Sequence, residues 1–293
     1  MTLLRLYLWL FAAFFMCCGP VYGQEWTWSV SPLLGVYSPQ LNDLNKKEFR
    51  IPLQGAGGVI IDQEASDQYS FTIQNSLPVI HFATEAGFEL QLVLDKKNSL
   101  LFGISSWEGV STSIIQTEIP FQGELSQTIY ERSGRVSATQ YFLGFRRNIF
   151  DKNKRKFYLR FTLNELMDVD YKEDMVFGFL SGPAVGFKRV RIMESQATGV
   201  LMLQGGMGGE LFVRDWLSLG FDVGYLKGID HSTLGNAALK EDFQAGDSLN
   251  VGLPMQVGPD GRLWYFDVED NAYRKVDLDF DGWRAVFRIN FYF

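Results

Sequence analysis

From Trp283 to the last residue, every second side chain is apolar: Trp283, Ala285, Phe287, Ile289, Phe291 and Phe293. Gly282, Arg284, Arg288 and Asn290 lie on the other face, with Val286 and Tyr292 as exceptions. Successive side chains of a strand point to opposite faces, so this segment predicts a strand with one wholly apolar face and one mainly polar one. A soluble strand seldom keeps an aromatic face unbroken to its final residue. A strand with lipid on one side and a polar lumen on the other does so naturally.

The pattern recurs seven more times. Trp26, Trp28, Val30, Leu34 and Val36 alternate with small polar residues, and Ala86, Phe88, Leu90, Leu92 and Leu94 with Glu85, Gly87, Glu89 and Gln91. A shorter run, Leu100, Phe102 and Ile104, is flanked by Gly103 and Ser105. Tyr141, Leu143 and Phe145 oppose Arg146. Phe157, Leu159, Phe161 and Leu163 oppose Arg160. Leu201, Leu203, Met207 and Leu211 oppose Glu210, and Leu217, Leu219, Phe221, Val223 and Tyr225 oppose Asp222.

Short polar turns at 95–98, 151–154 and 214–215 alternate with long connections at 38–81, 109–135, 164–197 and 229–278. Short turns on one side and long excursions on the other are the plan of a bacterial outer-membrane barrel with both termini in the periplasm. The fold class expected is therefore all-β: an antiparallel up-and-down transmembrane β-barrel of eight strands. Segments 176–180 and 262–279 could instead extend strands beyond the membrane, or add a pair and make ten.

The start of the chain agrees with export. Arg5 precedes a run of 13 apolar residues from Leu6 to Cys18, and Val21 and Gly23 suit a signal-peptidase site. The expected division is a cleaved leader at 1–23 and a barrel at 24–293 with four long external loops. Both cysteines and Arg5 leave with the leader, so the mature chain carries 26 basic against 34 acidic residues, a net charge of −8. A nucleic-acid partner is not expected of such a chain, nor is a thiol or disulfide chemistry.

The aromatic terminal strand, with Phe287, Phe291 and Phe293, resembles the assembly signal read by the barrel-assembly machinery. The whole mature chain resembles the eight-stranded barrels of the outer-membrane protein A, W and X type. The resemblance is architectural and implies a monomer bathed in outer-membrane lipid and lipopolysaccharide. No wall-binding domain is expected after the last strand.

Eight strands enclose an interior just wide enough for their own side chains or one small ligand. The inward faces carry Glu85, Glu89, Glu210 and Asp222 against Arg146, Arg160, Arg284 and Arg288. Buried charges are costly unless paired, so a lumen charge network closing the barrel to bulk flow is expected. The alternative is a narrow pore for ions or small solutes of the outer-membrane protein W type. Inward glycines at 206, 208, 220, 224 and 282 would leave room for bulky partners.

Catalysis is not expected. The only histidines, His81 and His231, sit beside Phe82 and Asp230, and adjacent residues on an extended chain point apart. Asp277-Leu278-Asp279-Phe280-Asp281-Gly282 opens like a calcium loop, but its twelfth position is Arg288 where a glutamate is needed. No metal or cofactor is assigned. Asp168, Asp170, Glu173 and Asp174, with Asp267, Glu269 and Asp270, are expected to make the outer loops acidic. Trp26, Trp28, Trp107, Trp216 and Trp283, with Tyr141 and Tyr225, are expected in the interfacial girdles.

Overall fold

A computed structural model describes residues 27–45, 58–61, 71–74, 77–197, 199–230, 232–242, 249–251, 255–267 and 272–293. The leader, Trp26, His231, Glu269 and Asp270 lie outside these residues. In chain order the strands are β1 (Thr27–Pro39), β2 (Gly58–Ile61), β3 (Phe71–Gln74), β4 (Ala83–Val93), β5 (Asn98–Phe121) and β6 (Glu124–Lys152). There follow β7 (Arg155–Phe179), β8 (Lys188–Ala197), β9 (Val200–Arg214), β10 (Leu217–Gly228) and β11 (Ser232–Asp242). The last six are β12 (Leu249–Val251), β13 (Met255–Val257), β14 (Leu263–Asp267), β15 (Ala272–Lys275), β16 (Asp277–Leu278) and β17 (Gly282–Tyr292).

Eight of them close a ring. The order β1-β4-β5-β6-β7-β9-β10-β17 returns to β1 through antiparallel pairs at every step, the last running from Ser29 opposite Tyr292 to Pro39 opposite Gly282. The ring strands are those the alternation predicts, and the three short polar turns join them at one end. Along the outward faces run exposed apolar side chains: Leu34, Phe88, Phe161, Met207, Phe221, Trp283 and Phe287 among them. Such a belt around a closed sheet is the surface of a membrane-spanning barrel. The barrel therefore has eight strands, and the additional segments do not enter the ring.

They lengthen it instead. β5 and β6 continue past the ring as one hairpin, closed by Gln122 and Gly123 at φ 50° and 81°. Two residues at positive φ are what a tight type I′ turn between twisted strands requires. The connection 109–135, expected as a loop, is therefore almost wholly strand. β7 likewise runs on beyond the ring, and β8 and β11 extend the wall from its outer half.

The handover on β7 is a bulge. Ser137 pairs with Asp170 and Thr139 with Met167, so Asp168 and Val169 together face Ala138. Asp168 has φ 49°. One inserted residue reverses which face each later side chain occupies. Tyr158, Arg160 and Thr162 point inward before it, and Tyr171, Glu173 and Met175 after it.

Candidate functional site

The interior is filled with charge in three levels, the first nearest the long connections. Arg284 grips Glu85 with two nitrogens, Nε to Oε2 at 2.7 Å and Nη2 to Oε1 at 2.5 Å. Its Nη1 reaches Gln204 Oε1 at 3.1 Å. Gln204, Thr162, Asn164 and Gln140 continue this level as a hydrogen-bonded chain across the lumen.

At the middle level four residues alternate in sign. Arg160 Nη1 donates to Glu89 Oε2 at 2.5 Å, and Arg288 Nη1 donates to Glu89 Oε1 at 2.7 Å. Arg288 also meets Asp222, whose Oδ2 lies 3.6 Å from Arg160. Each acid thus touches both bases. All four side chains are 1–2% exposed.

At the level nearest the short turns Arg146 pairs with Glu210, donates to Gln91 Oε1 at 3.2 Å and lies 3.7 Å from the Tyr158 ring. Glu210 also accepts from Ser218, Tyr292 and Asn290. The eight predicted side chains thus occupy one continuous, electroneutral column.

Glycine makes the space for it. A Cβ on Gly103 would stand 2.1 Å from Phe142 Cζ, and one on Gly208 would stand 2.5 Å from Tyr158 Oη. The two rings lie in these notches and lean against the guanidiniums of Arg160, Arg284 and Arg288. Val286, an exception to the expected alternation, faces the same interior and packs with Leu33 and Phe142.

Above the charges sits an apolar stopper. Tyr37, Trp107, Val136, Ala138, Leu166, Met202 and Leu226 from the wall meet Leu41, Leu44, Ile80, Leu263, Tyr265 and Phe280 from the connections. The Trp107 ring lies 5.3 Å from Tyr37 and 5.9 Å from Phe280. Trp107 is therefore not a girdle residue: it is 1% exposed and points into the barrel. Trp28, Trp216, Trp283 and Tyr141 do face outward, and Tyr225 packs against Trp283 on the outer surface.

Beyond the membrane the wall carries a further buried ion pair. Arg132 Nε donates to Glu173 Oε1 at 2.5 Å and Tyr171 Oη to Glu173 Oε2 at 2.7 Å. Burial pulls the Arg132 pKa down, but the adjoining Glu173 carboxylate outweighs it and the net shift is upward. Burial, with Glu173 adding to it, holds Tyr171 well above the usual phenol value, and burial pushes Tyr130 up to about 12. Glu173 therefore does not contribute acidity to the outer surface, contrary to the expectation for that loop. The bulge at Asp168 hides this in the sequence.

The remaining candidates are dispersed. His81 is exposed, its ring 6.4 Å from Phe82. In the calcium-like segment, Asp281 accepts the Gly228 amide at 2.6 Å and meets Lys227. Asp279 takes Asn42 at 3.1 Å and the Asp281 amide at 2.8 Å. These carboxylates fasten β17 and the first connection to the rim and do not converge on one point. Phe287 and Phe293 stand on the outer face of the ring, and the Phe293 amide donates to the Trp28 carbonyl at 2.8 Å. Phe291 stacks on Trp216.

No family model matches this chain, and no curated protein is significantly similar to it in sequence. Among solved structures it is similar to the outer membrane protease OmpT from Escherichia coli, at 9% identity and TM-score 0.29, over 93% of this chain and 98% of that one. It is also similar to the COG4313 outer membrane channel from Pseudomonas putida F1, at 7% identity and TM-score 0.23, over 94% and 98%. A third is the translocator domain of the autotransporter NalP from Neisseria meningitidis, at 10% identity and TM-score 0.19, over 99% and 96%. At scores this low the likeness transfers no activity to this chain.

Proposed function

We propose that this chain is an integral outer-membrane protein whose barrel is a sealed, non-enzymatic scaffold carrying an extended β-wall at the cell surface. The observation that carries the reading is the filled interior. Three levels of paired charge stand beneath an apolar stopper, and each ionic side chain is held by at least one opposite charge. Pairing on this scale makes the column expensive to displace, since each unpaired ion left behind costs several kcal/mol. A solute would have to break it and then pass through Trp107, Tyr37 and Phe280.

The outward belt supports residence in a bilayer, and the aromatic β17 supports delivery by the barrel-assembly machinery. Phospholipid and lipopolysaccharide are the surroundings such a belt requires, and the protein acts as a monomer. The wall beyond the membrane is the working surface.

Planar-bilayer recording of the purified mature protein is the test. Baseline current with no unitary steps is expected under voltage, and steady single-channel steps would sink the sealed-scaffold reading in favour of a narrow pore. The non-enzymatic part fails if purified protein cleaves peptide or lipid substrates and His231→Ala abolishes the cleavage.

A further inference from the structure

The short-turn end of this barrel is cationic. The segments 95–98, 147–156 and 214–215 form the short-turn rim and carry eight cationic side chains against three carboxylates, although the chain as a whole is anionic. Two of those carboxylates are already engaged. Asp95 accepts the Lys97 and Asn98 amides at 2.6 and 2.8 Å, and Asp151 lies 3.8 Å from Lys156. Lys96, Lys97, Lys152, Lys154 and Arg155 have no carboxylate within ion-pair distance among the described residues, and Arg147 acts on Asp95 only from beyond that distance.

These cations form one arc. Asn148 on β6 holds the β4–β5 turn through the Lys97 carbonyl at 2.6 Å and the Lys96 carbonyl at 3.1 Å. Phe212 on β9 holds the β6–β7 turn through the Lys154 carbonyl at 2.8 Å. The arc is also turned toward lipid. Arg147 is exposed on the same face as Phe145 and Ile149, and Arg155 on the same face as Phe157. A guanidinium on the lipid face is strongly unfavourable at mid-bilayer and tolerated only near the interface. Arg147 and Arg155 therefore mark the level of the headgroups, where phosphate is the available counter-charge.

We infer that this arc is a binding surface for anionic phospholipid headgroups of the periplasmic leaflet, their phosphodiesters held by Lys96, Lys97, Arg147, Lys152, Lys154 and Arg155. The inference rests on the outer-membrane reading. An acidic protein in the periplasm would be met by the turns alone and gives no role to cations flanked by lipid-facing side chains.

The test uses the mature protein in phosphatidylcholine vesicles doped with spin-labelled phosphatidylglycerol or spin-labelled phosphatidylcholine. Electron paramagnetic resonance then gives the relative association of each lipid with the barrel. Phosphatidylglycerol should be preferred by about threefold or more, as expected for several cations near an anionic surface. The preference should vanish in K96Q/K97Q/R147Q/K152Q/K154Q/R155Q and in high salt. It should persist in the outer-wall variant R135Q/K172Q/K275Q. Heat-dependent gel migration establishes that each variant is folded.

Equal association of the two lipids in the wild type, or a preference that survives in the sixfold variant, overturns the inference. So does abolition by inorganic phosphate at fixed ionic strength, which marks a free-anion site. If neither lipid is motionally restricted by folded protein, the outer-membrane reading itself fails and takes this inference with it.

Discussion

At the scale of single residues the middle level of the lumen is the most exposed to failure. Glu89, Arg160, Asp222 and Arg288 neutralise one another, so removing one leaves two unsatisfied contacts in a place water does not reach. Arg288→Met should lower stability by about 3–5 kcal/mol, the loss seen when one member of a buried pair is deleted. Urea unfolding in vesicles, followed by tryptophan emission, measures it. The double variant R288M/D222N should lose less than the sum of the two singles, because the second change removes the charge that the first orphaned. Additive losses would show that Asp222 is held by Arg160 alone. A different kind of residue-level prediction concerns Asp260, in the outer connection. Hydrogen bonds from the Trp264 indole and from Lys275 hold its carboxyl at about 2. A depressed carboxylate contributes stability above its unfolded value and loses it as pH falls through the folded one. The Trp264 indole resonance should therefore stay fixed down to about pH 4 and move below it, with its midpoint near about pH 2. Movement above pH 5 would contradict the contact.

At the scale of elements the weak point is the seam where the first strand meets the last. β1 pairs with β4 without interruption, yet its ladder to β17 skips Ser31 and Pro32. Proline has no N–H to donate, and the gap shows that the missing donor faces Ile289. Pro32→Ala should restore one ladder bond and raise stability by about 1 kcal/mol, read as a higher temperature for the loss of folded-form migration. An unchanged or lower temperature would mean that the fixed φ of Pro32 outweighs the bond. The same strands show what was legible in the chain and what was not. The alternation named the ring strands and placed all eight lumen charges, because a period of two needs only one reference face to orient every residue. Extending that parity along β5 from Leu100, Phe102 and Ile104 also puts Trp107 inside. Ending the strand at Ser105 lost that information. Glu173 could not be recovered this way, since Asp168 inserts one residue and inverts the parity beyond it. The outer hairpin was hidden for another reason. Its outward residues, such as Thr112, Gln116, Glu131 and Ser133, face water, so the apolar-out signal that marks a membrane strand stops while the strand continues.

At the scale of the whole molecule the sealed-scaffold proposal has the lumen closed twice, by different physics, with the two closures in series. On that proposal the stopper resists water because its side chains are mostly apolar and buried against one another. On that proposal the column below resists solutes because each of its charges lies against an opposite one. Series arrangement means that opening either one leaves the other resisting. Trp107→Ala, which empties the centre of the stopper, should leave bilayer current at baseline, although the cavity lowers stability by about 3–5 kcal/mol. E89A/R160A, which removes one acid and one base together and keeps the column neutral, should also remain silent. The combined variant W107A/E89A/R160A should pass small ions in discrete steps, provided its heat-dependent migration shows a folded barrel. Current from Trp107→Ala alone would assign the whole barrier to the stopper, and the charge column would then serve stability only. Silence in the folded triple variant would instead place a further barrier in the short-turn level, at Arg146, Glu210 and Tyr292, where adding Tyr292→Ala should open it.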